Sequence, residues 1–278
     1  MEHSTAKEDL LATLADGVTR LTSTDSWMRW LDVQRRFHRY SWGNTVLIAW
    51  QRPDATRVAG FHAWLRLGRH VRKGERGIAI LAPVVPRLRV VDSESGDERW
   101  IAGTPRAFRV AHVFDVSQTE GDDLPEAPVS RLLGSDTEDR YTQLRRVAHS
   151  LGFSVEEDYL PGEVNGDCDH GLKRIRVEVR NDPRQQVKTL AHELAHAILH
   201  GDREQLTRER AELEAESVAY IVTSTLGIDS SEYSFGYVAS WAGGGDAARR
   251  AISESAERIQ RAARTILDAA GEEDEAAA

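Results

Sequence analysis

A short stretch in the second half of the chain, KTLAHELAHAILHGD at residues 188–202, contains side chains whose types and spacing suit metal chemistry. On a helix, four residues advance about 400° and roughly 6 Å, so His192 and His196 point the same way from adjacent turns. Two imidazoles placed like this can bind one zinc ion at about 2.0–2.1 Å each. Glu193 is offset by about 100°, where it can take a proton from a water molecule at the metal. The alternative interpretation is an ordinary solvated helix face.

A catalytic zinc site needs a third protein ligand and keeps its fourth position for water. His200 lies about 12 Å along the helix axis from His192, so both cannot reach one ion. The next predicted helix contains RERAELEAESVAY at residues 208–220. We predict Glu212 as the third ligand, and Glu216, one turn later, as the acceptor for the free ring N–H of a ligating histidine. Two alanines on the same face, Ala215 and Ala219, would let the two helices approach closely.

Other polar residues near these helices are weaker candidates. Glu209, one turn before the predicted ligand, is the reserve, whereas Glu214 is about 200° from Glu212 and is expected to face elsewhere. Cys168 and His170 lie in NGDCDHG, which we interpret as polar turn residues and not as a second metal site. The group that stabilises the oxyanion stays open among Tyr220, Tyr233, Tyr237 and His170.

Helix signals and strand signals around the HExxH stretch predict how it is held in place. Asp182 is a good N-cap, with Pro183 at the first helical position and Gln185 at the third, and Gly201 is a natural left-handed end. Before this helix, residues 137–151 form an amphipathic pattern, and FSVEE and LKRIRVEV are predicted strands. After it we predict helices at 208–226 and 246–270, then a disordered acidic tail at 271–278.

The first half of the chain differs in charge and in aromatic content. From Trp27 to Arg89 there are thirteen basic and three acidic residues, a net charge of +10 within a chain of net charge −9. Five of the seven tryptophans also fall in this basic stretch. A basic block inside an acidic chain indicates two parts with different partners, separated here by the acidic, proline-containing linker at 122–135.

Elements of the first half are predicted from periodicity and turn signals. We expect a helix at 25–40, a short apolar helix at TVLIAW, a strand near Val58 and a helix at HAWLRLG. KGERG should connect the two strands of a hairpin, HV and IAILAPVV, and RAFRVAHVFDV should be a further strand. The helical spacing of Trp27, Trp30 and Phe37 indicates core packing and not a surface for nucleic acid.

Single-stranded nucleic acid is commonly held by cations along its backbone and by aromatic rings that stack on its bases. The basic stretch contains both kinds of residue. The candidates that we expect to be exposed lie in the SWGN turn and around the KGERG turn: Tyr40, Trp42, Asn44, Arg69, Arg72, Lys73 and Arg76.

Composition excludes several classes of protein. A single cysteine, Cys168, excludes an intramolecular disulfide and indicates a reducing compartment. The opening MEHSTAKEDL is polar, and the longest apolar run is too short to span a bilayer. We therefore expect a cytoplasmic protein without a membrane partner.

Both halves resemble known families. HELAHAILH followed by ELEAESVAY resembles the gluzincin-type metallopeptidases of the ImmA/IrrE kind and the peptidase half of ArdC-type antirestriction proteins. SWGNTVLIAWQRP, VAGFHAWLRLGRHVRKGERGIAIL and HVFDVSQTEG resemble the N-terminal, single-stranded-DNA-binding domain of the ArdC type. The resemblance implies an α+β fold with two domains: a small mixed α/β domain at 8–121, and a zincin-like domain at 136–270 whose active-site helix lies under a small sheet.

The resemblance also implies a set of roles. In those families the third ligand opens an E-x-x-A-[END] pattern, which here runs from Glu212 to Glu216. The edge strand above the active-site helix would be Ile175 to Val179, and a peptide substrate could pair with it as an extra strand. Zinc would polarise the scissile carbonyl, while Glu193 would deprotonate the water and later protonate the leaving amine.

We therefore predict a zinc metallopeptidase fused to a single-stranded-DNA-binding domain, with an antirestriction, mobile-element or DNA-damage role. Two alternatives stay open. One is a non-catalytic DNA-binding protein with a structural zinc, and the other is a regulator that cleaves a repressor.

Overall fold

The computed structural model describes residues 2–21, 23–91, 98–122, 137–201, 206–228 and 245–276. Helices and strands are both present, which confirms the predicted α+β class. The predicted linker falls mostly outside the described residues, as do Tyr233 and Tyr237. Within the described ranges, no helix is both long enough and apolar enough to cross a membrane.

Residue contacts divide the chain into two compact units. The N-terminal unit consists of Met1–Gly17 and Val46–Asp122, and the C-terminal unit consists of Val18–Thr45 and Asp123–Ala278. Residues 18–45 therefore group with the second half of the chain and not with the rest of the predicted 8–121 domain. The physical reason is apolar packing, because Trp27 and Leu31 are fully buried and the Trp27 indole N–H donates to Ser217 Oγ at 3.1 Å.

The N-terminal unit contains a three-stranded antiparallel sheet in the order β1-β6-β3. Its strands are β1 (Val58–Gly60), β3 (Ile78–Val84) and β6 (Ala107–Asp115). Its helices are α1 (Glu2–Arg20) up to residue 17, α3 (Trp42–Gln51) from residue 46, and α4 (Phe61–Arg66). The buried Trp64 of α4 donates its indole N–H to the Phe114 carbonyl oxygen at 2.8 Å, which ties α4 to β6.

Two strand pairs complete this unit. Strand β2 (Arg69–Val71) pairs with β7 (Thr119–Gly121), and β4 (Arg87–Val91) pairs with β5 (Glu98–Ala102). The predicted hairpin around KGERG is wrong, because β2 pairs with β7 while β3 pairs with β6. The side chain of Arg69 explains part of this pairing, since its Nε donates to Thr119 Oγ1 at 2.8 Å and an Nη donates to the Thr119 carbonyl at 3.2 Å.

The C-terminal unit places a three-stranded mixed sheet over helices. Its strands β8 (Ser154–Asp158), β9 (Gly166–Asp169) and β10 (Arg174–Glu178) lie in the order β8-β10-β9, with β10 parallel to β8 and antiparallel to β9. The expectation that Ile175 to Val179 forms the edge strand is therefore wrong. Ile175 and Val177 are fully buried in the central strand, and the stretch interpreted as a polar turn forms the edge strand β9.

The helices of this unit are α2 (Thr24–Arg36), α5 (Thr137–Ser150), α6 (Pro183–Leu199), α7 (Arg208–Thr225) and α8 (Gly245–Ala276). Helix α6 begins at the predicted N-cap Asp182, but its C-cap is His200 and Gly201 does not have a positive φ. Helix α8 continues to Ala276, where a disordered tail was expected. Four of the residues at 271–276, Glu272, Glu273, Glu275 and Ala276, have high helix propensity, which favours this continuation.

Candidate metal centre

Helices α6 and α7 bring the predicted ligands together. Leu190, Leu194 and Ala191 of α6 are fully buried, so that face of the helix is fixed against the core. Ala215 and Ala219 of α7 are also fully buried, as expected of small residues where two helices pack closely. Thr207 caps α7 by accepting a hydrogen bond from the Arg210 N–H at 3.3 Å, which fixes the start of the helix that carries Glu212.

Three potential ligand atoms converge between these helices. The Nε2 atoms of His192 and His196 are 3.0 Å apart. Glu212 Oε2 is 3.4 Å from His192 Nε2 and 3.8 Å from His196 Nε2. In the part of the chain that the structure describes, these residues form the one group of three or more His, Cys, Asp or Glu residues that could hold a metal ion.

The spacing of these atoms suits a tetrahedral ion. Two donors at about 2.1 Å from a tetrahedral ion lie about 3.4 Å apart, which is the average of the three distances found here. Two imidazoles and one carboxylate are also a common ligand set of catalytic zinc sites, which leave the fourth position open. The residues present therefore fit a zinc ion, with Glu212 as the carboxylate. The reserve candidate Glu209 is exposed in the first turn of α7 and is not part of the group.

Hydrogen bonds to the outer ring nitrogens determine which nitrogen of each ligand is free for a metal. Glu216 Oε2 is 3.1 Å from His192 Nδ1, and an ionised carboxylate can only accept, so Nδ1 donates. In the neutral ring, the form that binds a metal, Nε2 then carries the lone pair. Lys188 Nζ lies 3.6 Å from Glu216 Oε1 and forms an ion pair with it. The structure thus brings Glu216 into contact with the ring nitrogen of His192 that lies away from the other candidate ligands.

The charge balance of the group favours a bound cation. Burial lowers the pKa of His192, but hydrogen bonds to Glu212 and Glu216 outweigh it and raise that pKa to about 9. The hydrogen bond from His192 lowers the pKa of Glu212 well below its usual value. Both shifts have one cause, which is that the carboxylates of Glu212 and Glu216 stabilise a positive charge on the His192 ring.

Glu193 lies beside this position and is almost completely buried. The pKa of its carboxyl is raised to about 7, mainly by burial; the His192 ring lowers this pKa, and the nearby carboxylates of Asp167 and Glu212 raise it. A carboxylate whose pKa lies near neutral pH is suited to take up and release a proton. Glu193 and His192 both line a pocket of about 350 Å³.

The edge strand β9 forms one side of this pocket. Gly166 contributes to the lining, and a Cβ at this position would lie 2.5 Å from Thr189 Cγ2 and 3.0 Å from Glu193 Oε1. The absence of a side chain is therefore what lets the strand pass this close to α6. The sequence analysis did not predict this strand, although Gly166, the first glycine of NGDCDHG, was a usable signal of a close backbone approach.

The two candidates for oxyanion stabilisation that lie in the described residues, Tyr220 and His170, do not line the pocket. Tyr220 is buried on α7, and the His170 ring packs edge-on against Phe153 with ring centroids 5.8 Å apart. Cys168 is buried in β9 with its Sγ 3.9 Å from His170 Nε2, and this pair is not joined by a third metal-binding residue among those described.

The candidate DNA-binding residues fall in both units and differ in exposure. Asn44 is buried, and Tyr40 and Trp42 are half-buried, so the SWGN turn is less exposed than expected. Arg69 and Arg72 are occupied within the unit, because Arg69 binds the Thr119 backbone and Arg72 donates to the Ser117 carbonyl. Lys73 and Arg76 are exposed in the loop between β2 and β3.

Two exposed aromatic residues of the N-terminal unit were missed by the sequence analysis. Phe61 at the start of α4 and Phe108 on β6 are each about half exposed. Sequence alone could not single them out, since both lie in patterns that also suit a buried strand or helix. Exposed rings of this kind are potential stacking surfaces for bases.

Two sequence families match this chain in the predicted order. The family described as the N-terminal domain of anti-restriction factor ArdC matches residues 8–114, and the peptidase M78 family, described as IrrE N-terminal-like domain, matches residues 153–223. Both matches confirm the resemblance predicted from the motifs. The chain thus combines an ArdC-like domain with a peptidase M78-like domain.

Solved structures and curated proteins extend this comparison. The chain is similar to the crystal structure of antirestriction ArdC protein from R388 plasmid, metal-free, with a TM-score of 0.53 and 22% identity over 83% of this chain and 85% of that one. The Mn(II)-bound structure of that protein gives a TM-score of 0.50 and 22% identity over 82% of this chain and 84% of that one. At this identity the likeness establishes the fold.

Among curated proteins, an uncharacterized protein of Bacillus anthracis, pXO2-81, is 25% identical over 273 residues, 84% of this chain and 46% of its own length. Uncharacterized protein y4eC of Sinorhizobium fredii is 24% identical over 240 residues, 80% of this chain and 76% of its own length. The chain therefore spans less than half of the Bacillus anthracis protein that it matches.

Proposed function

We propose that this protein is a zinc-dependent metallopeptidase whose ArdC-like part binds single-stranded DNA. The observation that carries the proposal is the convergence of His192, His196 and Glu212 at distances that suit one tetrahedral ion, with Glu193 beside them in an open pocket. The Mn(II)-bound structure of the ArdC neighbour supports the proposal that a protein of this fold binds a metal ion. We select zinc for this chain from its two imidazoles and one carboxylate.

Each side chain of the site has a distinct role in the proposed reaction. A zinc ion held by His192, His196 and Glu212 would act as a Lewis acid, which would polarise the scissile carbonyl and lower the pKa of a water molecule. Glu193 takes the proton from that water at its carboxylate and returns it to the amine of the leaving peptide. Its raised pKa suits both halves of this proton transfer. Glu216 holds the His192 ring in place by accepting from Nδ1.

The edge strand β9 is the proposed docking element for the substrate. An extended peptide can add to an exposed sheet edge through main-chain hydrogen bonds. Gly166 and Asn165 bring that edge to the pocket that contains Glu193 and His192. A peptide paired with β9 would therefore present its backbone to the Glu193 carboxylate. This docking role was expected of β10, which is instead the central strand.

The test separates metal binding from catalysis. We expect wild-type protein and Glu193→Gln to bind one zinc each by elemental analysis, while Glu212→Gln loses most of its zinc and the matched variant Glu209→Gln does not. Cleavage, measured by mass spectrometry on a peptide library and on the protein itself, with and without oligo(dT), should fall by about 10²–10⁴-fold in Glu193→Gln. Zinc-loaded wild-type protein that cleaves nothing, or Glu193→Gln that cleaves at the wild-type rate, contradicts the peptidase proposal.

A second candidate is a DNA-binding protein in which zinc has a structural role only. The exposed cations Lys73 and Arg76 and the exposed rings of Phe61 and Phe108 favour DNA contact independently of the metal centre. The near-neutral pKa of the buried Glu193 favours the enzyme, because a structural site has no use for a proton acceptor. A regulator that cleaves a repressor would share the chemistry proposed here and differ only in its substrate.

An antirestriction role in the cytoplasm is part of the proposal and follows from the ArdC-like domain. It predicts that expression of this protein protects incoming unmodified DNA from restriction in a transformation assay. Comparison of wild-type protein with Glu193→Gln then shows whether protection needs the peptidase centre.

A further inference from the structure

His200, at the C-cap of α6, joins the candidate metal centre to the protein interior. Its ring is buried and follows the HExxH motif by one helical turn. Its Nδ1 lies 2.8 Å from the Nδ1 of His196, and its Nε2 lies 3.2 Å from Glu214 Oε2. His200 is too far from His192 to bind the same ion. It instead contacts the Nδ1 side of the His196 ring, opposite the nitrogen that faces the metal position.

Glu214 determines the direction of both hydrogen bonds in the series Glu214–His200–His196. An ionised carboxylate accepts only, so the Nε2–H of His200 donates to Glu214. A neutral His200 then has its lone pair on Nδ1, and the Nδ1–H of His196 must donate to it. His196 is left with its lone pair on Nε2, the atom that lies 3.0 Å from His192 Nε2. In their neutral forms, both ligand histidines therefore direct an Nε2 lone pair to the same point.

Glu214 is held ionised and immobile by groups from two helices. It is fully buried, and Arg258 Nε of α8 donates to its Oε2 at 3.0 Å. On the other oxygen, Ser255 of α8 donates through its hydroxyl, and Arg210 Nε of α7 donates at 3.4 Å. Arg258 also donates to the Leu199 carbonyl at 2.8 Å, beside His200 at the end of α6.

We propose that His200 and Glu214 are positioning residues that hold His196 in the tautomer whose Nε2 faces the metal position. This inference rests on the proposed function, since it assumes that a metal binds there. The two ligand histidines are then oriented in different ways: His192 directly by Glu216, and His196 through His200 by Glu214. Helix α8, which supplies Ser255 and Arg258, becomes part of the support of the metal site and not only a packing element.

The first test reads the tautomers directly and does not need a bound metal. Histidine ¹⁵N NMR on metal-free wild-type protein should show a protonated Nε2 and an unprotonated Nδ1 for His200, and a protonated Nδ1 for His196. A protonated Nδ1 on neutral His200 overturns the inference whether or not the protein binds zinc. Failure of wild-type protein to bind zinc, with these tautomers present, would instead count against the proposed function.

The second test uses two substitutions of similar size. His200→Leu removes the acceptor for His196 Nδ1–H, whereas His200→Gln can restore it through its side-chain oxygen. We expect zinc affinity, measured by competition with a chromophoric chelator, to fall by about 10–100-fold in His200→Leu and to recover in part in His200→Gln. His149→Leu, which removes an exposed histidine of α5, is the control and should keep wild-type affinity.

Thermal unfolding of the metal-free proteins separates positioning from folding. The positioning role is wrong if His200→Leu binds zinc as tightly as wild-type protein. It is also wrong if His200→Gln loses as much zinc affinity as His200→Leu although metal-free His200→Gln unfolds at the wild-type temperature. The positioning role is supported if His200→Leu loses zinc affinity, His200→Gln recovers part of it, and the metal-free proteins are equally stable.

Discussion

Two glutamates of the C-terminal unit, Glu193 and Glu178, lie in opposite electrostatic environments. Both are nearly inaccessible to solvent. Burial without a cationic hydrogen-bond partner raises the pKa of Glu193 to about 7. At Glu178, hydrogen bonds from the Arg180 side chain and backbone lower the pKa to about 2. The first environment suits proton transfer, and the second suits a permanent anion that organises structure.

Glu178 orders the loop that enters the pocket. Its Oε2 accepts from the Leu160 N–H at 2.7 Å, and its Oε1 accepts from the Arg180 N–H at 2.9 Å and from Arg180 Nε at 2.7 Å. Its own backbone N–H donates to the Asn165 carbonyl at 2.8 Å. The residue thereby holds both ends of the segment between β8 and β9, whose end forms part of the pocket.

We predict that Glu178→Gln lowers stability in a pH-dependent way. Since the folded pKa lies below the usual value of about 4.3, the ionised side chain stabilises the fold fully above that value and loses its contribution as the pH falls toward 2. The difference in unfolding free energy between wild type and variant should therefore be largest near neutral pH and shrink below about pH 4.5. Urea unfolding at several pH values measures it, with the exposed Glu163→Gln as control. A difference that is constant with pH contradicts this assignment.

At the scale of elements, the position of β9 over α6 depends on Gly166. A Cβ there would approach Thr189 Cγ2, the Arg176 carbonyl oxygen and Glu193 Oε1 at 2.5–3.0 Å. Either the edge strand or the Glu193 carboxylate would have to move, whereas a Cβ at this position meets none of the candidate metal ligands His192, His196 and Glu212 among its nearest atoms.

We predict that Gly166→Ala keeps zinc and loses catalysis. A displacement of about 1 Å at a reacting group can cost on the order of 10²-fold in rate. Zinc content by elemental analysis should match wild type, while peptide cleavage falls by about that factor. Gly60→Ala, where a Cβ meets nothing within 4 Å, is the matched control. Full activity of Gly166→Ala would show that the strand does not constrain Glu193.

Helix α2 supports α7, although it lies far from α7 in the sequence. Trp27 is fully buried and donates to Ser217 Oγ at 3.1 Å, and Thr225 Oγ1 donates to the Arg35 carbonyl at 3.3 Å. Because α7 carries Glu212, the packing of α2 contributes to the precision of the candidate metal centre. The ArdC-like family match and the compact unit therefore have different boundaries in this region.

We predict that Trp27→Ala lowers the free energy of unfolding by about 3–5 kcal/mol, because it leaves a large cavity beneath α7. Denaturant unfolding measures the change. Leu172→Ala, at an exposed position of the same unit, should change it by less than about 0.5 kcal/mol. If Trp27→Ala unfolds like the control variant, then α2 is not a structural part of the C-terminal unit.

At the scale of the whole molecule, the charge of the chain is unevenly distributed. The stretch from Trp27 to Arg89 carries +10 within a chain of −9. An acidic protein of this kind can hold a polyanion only through a local cationic surface. Within the N-terminal unit, Lys73 and Arg76 are better placed for this than Arg69 and Arg72, whose guanidinium groups bind the backbone of the unit.

We predict that single-stranded DNA binding weakens steeply with salt and that Lys73→Ala/Arg76→Ala reduces this dependence. For single strands the slope of log K against log salt changes by about 0.7 for each phosphate contact, so the double variant should lose about 1.4 in slope. Fluorescence anisotropy with labelled oligo(dT) at several salt concentrations measures it. Arg264→Ala, on α8, is the control. An unchanged slope in the double variant means that these two residues do not contact the phosphates.

The local sequence determined the parts of this protein that depend on near neighbours. The N-cap at Asp182 follows from the residues next to it, with proline at the first helical position. Helical periodicity, which four or five consecutive residues already define, gives the common face of His192 and His196 and the burial of Trp27 and Trp30. The placement of Glu212 near the histidines was also predictable, because a helix of alanines and a carboxylate after an HExxH helix restricts the ways in which the two can pack.

Only the tertiary structure decided which distant segments meet. Strand order depends on hydrogen bonds between segments far apart in sequence, so neither the edge position of β9 nor the pairing of β2 with β7 could be determined from local patterns. The same holds for the environment of His200, since its orientation depends on Glu214 and Arg258 from two other helices. Spacing along one helix excluded His200 as a ligand of the same ion as His192. Packing between helices placed it in contact with His196. Periodicity is a property of the chain, whereas the direction of a buried hydrogen bond is a property of the fold.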